Sequence, residues 1–163
     1  MLEEFLTCLE GQGWSVIRNT SAEVRLPEAV AGRYRSCPPS WLALLGAVQE
    51  LARGDERAWF LCAGDYDVQA DQPWQWNEWE RLSLEAAEDD ALWTAEIRDF
   101  WTEHLPIFMS LSDGYAYYAI SMKDGSVVYG REPEFEECET AAPSFDAFMA
   151  QVVKGQTLLK QLL

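Results

Sequence analysis

The residues best able to do chemistry lie in one acidic stretch, from Gly64 to Glu80, where carboxylates and aromatic residues are interleaved with no clean period. Its acids are Asp65, Asp67, Asp71, Glu78 and Glu80. Carboxylate oxygens are the ligands that Ca²⁺ prefers, but this spacing lacks the fixed glycine and the final glutamate of an EF-hand loop. A solvated acidic loop is therefore the favoured interpretation. We predict neither a metal site nor a cofactor.

The same stretch suits the capture of a basic protein, because it also contains Trp74, Trp76 and Trp79. Aromatic rings supply desolvated contact, and the surrounding negative charge accelerates the encounter. Tyr115 and Tyr117 share one face of a predicted strand, opposite a more apolar face, and we expect both to point outward and to extend this surface. The predicted partner-binding residues are thus Asp65, Asp67, Asp71, Trp74, Trp76, Glu78, Trp79, Glu80, Tyr115 and Tyr117. The favoured alternative is that these rings pack in the core, a place that amphipathic aromatic side chains also occupy.

Catalytic chemistry has little support in the sequence. His104 is the only histidine and ends an apolar helix face just before Pro106, so a packed or helix-capping histidine is favoured over a catalytic one. No Ser-His or Cys-His pairing can be proposed without geometry, and there is no phosphate loop or dinucleotide fingerprint. Paired carboxylates for glycoside hydrolysis need a set separation that a sequence does not show. The glutamates at 134, 136, 137 and 139 are interpreted as a solvated charge run. We predict that the protein is not an enzyme.

Charge and cysteine content restrict the partner and the compartment. The net charge of −16 argues against binding to nucleic acid or to an anionic membrane, since both require basic patches. Residues 61–109 carry most of the imbalance, with 12 acids and 2 bases. Cys8, Cys37, Cys62 and Cys138 form no Cys-x-x-Cys motif. With no basic N-terminal region and no apolar run long enough to span a bilayer, we expect a cytoplasmic protein with reduced thiols.

The elements that position these residues are clearest between Leu105 and Phe148. Asp-Gly pairs at 113–114 and 124–125 separate runs rich in Ile, Val, Tyr and Phe, which is a strong hairpin signal. They predict a three-stranded antiparallel meander. An acidic link over 132–142, with room for an edge strand, then leads to a helix capped by Ser144.

Upstream of the meander, hydrophobic spacing predicts the other elements. Helices are predicted over 2–10, 27–34, from Pro39-Ser40 through Arg53 to a stop at Gly54, and over 91–104. The last of these is capped by Asp89 or Asp90 and has Trp93 on its apolar face. Strands are predicted over 14–18 and 59–62, and residues 64–80 are predicted to form a loop, followed by a helical turn over 82–87. The fold class is therefore α+β: a single domain over 1–163, with a twisted antiparallel sheet and helices packed mainly on one face.

Several motifs in this order resemble the core of the SUKH superfamily, which includes the Smi/Knr-like regulators of fungal cell walls. They are Leu26-Pro27 followed by Tyr34, then Gly114-Tyr115-Ala116-Tyr117-Tyr118-Ala119-Ile120, Gly125-Ser126-Val127, and Ser144-Phe145-x-x-Phe148. The resemblance covers the chain from about residue 26 to 155, with the segments 1–25 and 156–163 packed on that core. Many members have a longer Gly-rich turn where this chain has only Ser112-Asp113-Gly114, so no role is carried over to that turn.

The resemblance implies a function as well as a fold. Bacterial SUKH proteins are typically immunity proteins that bind and neutralise secreted toxins, often nucleases or deaminases. We therefore expect a non-enzymatic, acidic binding protein with a basic toxin domain as its partner, acting as a monomer or weak homodimer. The alternative is an intracellular scaffold or regulator that has no toxin partner.

Overall fold

The computed structural model describes residues 1–21, 23–67 and 72–156. Within these residues the helices are α1 (Leu2–Gly11), α2 (Glu28–Arg33), α3 (Pro39–Ala47), α4 (Glu78–Ala86), α5 (Ala91–Glu103) and α6 (Phe145–Val153). The strands are β1 (Trp14–Arg18), β2 (Val48–Arg53), β3 (Ala58–Phe60), β4 (His104–Ser110), β5 (Ala116–Ser121), β6 (Val127–Arg131) and β7 (Cys138–Ala142). In this part of the chain, no helix is both long enough and apolar enough to cross a membrane.

The strands form one sheet in which each strand pairs antiparallel with the next, in the order β1 to β7. The two Asp-Gly turns join β4 to β5 and β5 to β6 as predicted. Gly114 and Gly125 have φ values of +76° and +74°, a region that glycine enters at low cost. The predicted meander, its edge strand β7 and the single-domain α+β class are confirmed.

Helix starts follow the predicted capping chemistry. The Ser144 hydroxyl accepts a hydrogen bond from the backbone N–H of Ala147 at 3.1 Å, which begins α6. The Asp90 carboxylate accepts from the N–H of Trp93 at 3.0 Å and begins α5 in the same way. These caps fix where α5 and α6 enter the two layers that pack on the sheet.

One face of the sheet packs against α1 and α6. The register places Phe60, Phe108 and Tyr118 side by side on this face. Phe5 of α1 meets Phe60 edge-on at 5.5 Å, and Phe148 of α6 contacts Tyr118 at 5.0 Å between ring centroids. Helix α3 contacts both α1 and α6, so this side holds a continuous aromatic and aliphatic core.

The opposite face is also covered over its central strands, which corrects the prediction that Tyr117 points outward. Tyr117 is fully buried beneath α5, where its ring lies 4.9 Å from that of Trp101. Its hydroxyl donates to the carbonyl oxygen of Phe135. The prediction assumed that one face of β5 meets solvent, whereas every residue of β5 is buried because α5 and its neighbour α4 add a second helical layer.

The long helix predicted from Pro39 to Arg53 is wrong in its second half. Helix α3 ends at Ala47, and Val48–Arg53 forms β2, which pairs with β1 and β3. The apolar spacing of Leu44, Val48 and Leu51 is compatible with a helix, but the hydrogen-bonded strands on either side determine the outcome. Conversely, the loop predicted up to residue 80 ends earlier, because α4 begins at Glu78.

Candidate partner-binding site

A cleft of about 300 Å³ lies between α4, the start of α5 and the loop that joins β6 to β7. Four of its side chains are large and apolar or aromatic, and three are glutamates. It is lined by Leu82, Ser83, Ala86, Trp93, Tyr115, Glu132, Pro133, Glu134, Phe135 and Glu136. We call it the aromatic–acidic cleft.

The rings of the cleft are held by a tryptophan that lies between them. Trp79 is buried and stacks on Tyr115 at 5.0 Å with an interplanar angle of 23° and on Phe135 at 5.1 Å with an angle of 15°. Trp74 meets Tyr115 edge-on at 5.5 Å. Such aromatic pairs each contribute roughly 0.5–1.5 kcal/mol beyond the area they bury. Trp79, a residue of α4, thus holds the rings of Tyr115 and Phe135 in fixed positions relative to that helix.

The acidic wall of the cleft is tied to the body by hydrogen bonds. The N–H of Tyr115 donates to Oε1 of Glu132 at 2.9 Å, and the N–H of Glu132 donates back to the carbonyl of Tyr115 at 2.8 Å. The indole Nε1–H of Trp101 donates to Oε1 of Glu136 at 2.7 Å. With the Tyr117–Phe135 bond described above, these contacts hold the loop in one conformation before any partner binds.

The cleft has a strongly negative environment. Glu132, Glu134 and Glu136 line it, and none of its lining residues is a lysine or arginine. Arg81, on the same helix as Leu82, is paired with Glu78 and Glu85 and so does not offset this charge. A cleft with apolar walls and one sign of charge focuses its field on a ligand of opposite charge.

The structure brings together three of the predicted site residues, Trp74, Trp79 and Tyr115, at or beneath this cleft. Trp74 and Tyr115 are half-buried, whereas Trp79 is buried. Trp76 lies elsewhere in the core, 6.1 Å from the ring of Tyr34 and 5.7 Å from that of Tyr66. For Trp76, Trp79 and Tyr117 the core-packing alternative is therefore correct, and these rings are not available to a partner.

The two predicted glutamates of α4 are buried in ion pairs. The carboxylate of Glu80 accepts two hydrogen bonds from the guanidinium group of Arg33, from Nη1 at 2.9 Å and from Nη2 at 2.7 Å. Glu78 is paired with Arg81 and accepts from the backbone N–H of Gln75 at 3.3 Å. For the more buried of the two pairs, Arg33 with Glu80, removing one member costs about 3–5 kcal/mol, because the remaining charge is left uncompensated. We therefore assign both glutamates a structural role. Glu80 joins α4 to α2, and Glu78 stabilises the first turn of α4.

The remaining predicted acids are dispersed. Asp65 lies in a short 3₁₀ turn (Ala63–Tyr66), where its carboxylate accepts from the N–H of Cys62 at 2.7 Å, and burial raises its pKa above the usual range. It also lines a second cleft of about 360 Å³ beside Ile17 and Trp59, on the open part of the sheet. Asp67 is exposed, and Asp71 lies outside the described residues.

Sequence reasoning misses most of the cleft. The apolar spacing of α5 predicts Trp93 on the buried face of that helix, but its side chain is 41% exposed. The glutamates at 134 and 136 are predicted to be solvated, whereas both line the cleft. A signal is present, since Glu132-Pro133-Glu134-Phe135-Glu136 alternates acids with a ring and a proline, the same composition that distinguishes residues 64–80.

The residues that could support catalysis have structural roles. His104 stacks on Phe100 at 4.1 Å, and its Nδ1 lies 2.8 Å from the Phe100 carbonyl, so it closes the end of α5. Burial lowers the pKa of His104. Cys62 is buried, and burial raises the pKa of its thiol to about 12. Across residues 1–21, 23–67 and 72–156, no group of three or more His, Cys, Asp or Glu side chains could hold a metal ion.

Compared with known proteins, the chain matches no family model, and no curated protein or solved structure is significantly similar to it. The resemblance to the SUKH superfamily therefore stays a prediction drawn from the residues named above. The binding site is inferred from the geometry of the aromatic–acidic cleft.

Proposed function

We propose that this protein is a non-enzymatic binding protein that recognises a basic protein partner through the aromatic–acidic cleft. The observation that carries the proposal is the cleft itself, in which aromatic walls and glutamates are fixed in place by the Trp79 stack and by the bonds to Glu132 and Glu136. A site that is rigid before binding loses little conformational entropy when a partner arrives.

The cleft forms the centre of a larger protein–protein interface. Stable protein–protein interfaces bury about 1,200–2,000 Å² in total, far more than a cleft of this size offers. Most of the binding energy nevertheless comes from a few central side chains. The interface is centred on Trp93 and Tyr115, and the surrounding acidic surface increases the association rate.

The resemblance to SUKH proteins suggests what the partner is. We propose that the partner is a toxin domain of the nuclease or deaminase type, and that the protein is its immunity protein. A nuclease needs a basic surface to hold phosphates, and an acidic protein that covers this surface prevents substrate binding. The net charge of −16 is consistent with this role.

A charge reversal in the cleft tests the binding site. Glu134 is exposed, so Glu134→Lys should leave the fold intact; Glu10→Lys, at an exposed position of α1 on the other side of the sheet, is its matched control. After a partner has been captured from host lysate and purified, its Kd is measured for both variants. We expect Glu134→Lys to weaken binding about tenfold or more and Glu10→Lys to have little effect. Equal affinities for the two variants would place the interface elsewhere.

Growth rescue separates an immunity protein from a scaffold. Cells expressing the captured partner alone should stop growing if it is a toxin, and co-expression of the wild-type chain should restore growth. Co-expression of Glu134→Lys should restore it less well than Glu10→Lys. If the partner is harmless alone, the immunity role is wrong, while the cleft can still be the binding site of a scaffold.

A further inference from the structure

We propose that the aromatic–acidic cleft is a receptor for one arginine side chain of the partner protein. This inference rests on the proposed function and specifies the chemical group that the cleft recognises. It is drawn from the two kinds of wall that meet there, aromatic rings and carboxylates.

The two walls match the two ways in which a guanidinium group binds. Its flat, weakly hydrated surface stacks on aromatic rings, and its N–H groups form paired hydrogen bonds with a carboxylate. Trp93 and Tyr115 supply the accessible rings, while Glu132, Glu134 and Glu136 supply the acceptors. A lysine ammonium is a compact, strongly hydrated charge that cannot form the paired bonds, so the cleft should prefer arginine.

Two of the carboxylates are already oriented and still have an acceptor to offer. Glu132 and Glu136 each accept a protein hydrogen bond at Oε1, from the N–H of Tyr115 and from the indole of Trp101. Among the described residues, Oε2 of neither glutamate has a hydrogen-bond partner. The side-chain entropy of both residues is therefore largely lost before binding, which favours recognition of a ligand cation.

The protein uses the same arrangement among its own side chains. The guanidinium carbon of Arg33 lies 5.3 Å from the centre of the Tyr34 ring. Its two terminal nitrogens bind both oxygens of Glu80, at 2.9 Å and 2.7 Å. One guanidinium thus contacts a ring and a carboxylate together at the joint between α2 and α4. The aromatic–acidic cleft presents both of these groups without an internal arginine.

Other occupants fit the cleft less well. An apolar side chain would desolvate the glutamates without compensating their charge, which is costly. A second copy of the chain would place glutamates opposite glutamates if the two clefts faced each other. A guanidinium group satisfies both the rings and the carboxylates, which leaves arginine as the occupant.

The test uses short capped peptides as probes and the indole N–H signal of Trp93 as the readout. The full chain is labelled with ¹⁵N at its tryptophans, and Trp93→Phe identifies the signal. The peptides are acetyl-Gly-X-Gly-amide, in which X is arginine, lysine or citrulline, the neutral analogue of arginine. We expect the arginine peptide to shift the Trp93 signal saturably with a Kd of about 1–10 mM, the range accessible to a single side chain. The lysine peptide should bind several-fold more weakly, and the citrulline peptide should leave the signal unchanged.

Charge-neutral variants of the cleft test its acidic wall. Glu132→Gln and Glu136→Gln keep an oxygen that can accept from Tyr115 and Trp101, so the loop stays in place while the charge is lost. The triple variant with Glu134→Gln should abolish the shift caused by the arginine peptide. A triple variant that removes three exposed acids elsewhere, Glu10→Gln, Glu23→Gln and Glu28→Gln, has the same net charge and should retain it.

The outcomes separate this inference from the proposed function. An absent shift, an equal response to lysine or citrulline, or an unchanged response in the cleft triple variant would overturn the arginine assignment. If the cleft triple variant still weakened binding of the captured partner while its control did not, the proposed function would stand without arginine. If neither the peptides nor the partner responded to the cleft changes, both proposals would fail.

Discussion

The backbone of Tyr115 and the residue Glu132 hold each other in place across 17 positions of the chain. The Tyr115 N–H donates to Oε1 of Glu132, and the Glu132 N–H donates to the Tyr115 carbonyl. The first bond connects the turn before β5 to the acidic loop after β6. The position of Tyr115 on one side of the aromatic–acidic cleft therefore depends on the position of the acidic loop on the other side.

This relationship predicts that Glu132→Ala destabilises the fold while Glu132→Gln does so much less. Alanine leaves the half-buried N–H of Tyr115 without its acceptor, which should lower the free energy of unfolding by about 1 kcal/mol. Glutamine retains an acceptor oxygen at the same place. Urea denaturation of the two variants measures the difference. An equal loss in both would mean that the charge of Glu132, rather than the hydrogen bond, is what matters.

Gly130 lies opposite Tyr117 in β5, and we predict that it cannot be replaced by alanine without loss of stability. A methyl group there would overlap the buried Tyr117 ring, which α5 keeps in position. Overpacking of this kind lowers the free energy of unfolding by about 1–3 kcal/mol. Gly46→Ala in α3 is the matched control, because nothing lies within 4 Å of its added methyl. It should stabilise the protein by about 0.5 kcal/mol, since alanine favours a helix. Similar thermal shifts for the two variants would contradict this account.

The part of the fold that local chemistry determines could be predicted from the sequence. The Asp-Gly turns predict β4, β5 and β6 because a positive φ at glycine is a property of two or three residues. Ser144 predicts the start of α6 for a similar reason, since a cap needs only a side chain three residues before the N–H that it accepts. For α5 the same reasoning leaves Asp89 and Asp90 as candidates, and the structure shows that Asp90 is the cap.

The predictions that failed depend on contacts between distant segments. Leu44, Val48 and Leu51 suit a helix or a strand, and pairing of β2 with β1 decides between them. The ion pair between Arg33 and Glu80 joins residues 47 positions apart, so Glu80 could not be recognised as internal. Tyr117 is wrongly predicted to be outside because alternation along β5 does not reveal that α5 covers its second face.

His104 predicts a specific dependence of stability on pH. Burial lowers its pKa from the ordinary value of 6.5 and outweighs the hydrogen bond to the Phe100 carbonyl, which raises it. Among the nearby charges, Glu103 and Asp124 raise the pKa and Lys123 lowers it. The unfolded chain therefore binds a proton more readily than the folded chain. This contribution to stability is present above pH 6.5 and is lost as the pH falls through the folded pKa.

The measurement compares the wild-type chain with His104→Gln. The difference between their free energies of unfolding should shrink as the pH falls from about 8 to about 5, the range in which histidine titrates. Using the difference removes the effect of the many carboxylates, which both chains share. A difference that is constant over this range would show that His104 titrates alike in the folded and unfolded chains.

Trp93 and Leu92 are adjacent exposed residues of α5, but only Trp93 lines the aromatic–acidic cleft. We predict that Trp93→Ala lowers the free energy of unfolding by only about 1 kcal/mol, because much of the ring already contacts water. It should cost about 2 kcal/mol of binding energy, roughly thirtyfold in the Kd for the captured partner, as expected for a central aromatic anchor. Leu92→Ala removes a side chain that is 81% exposed and should change neither quantity. Titration calorimetry with the partner measures the Kd, and urea denaturation measures the stability of each variant. A loss of binding in Leu92→Ala equal to that in Trp93→Ala would move the contact away from the cleft and onto the outer surface of α5.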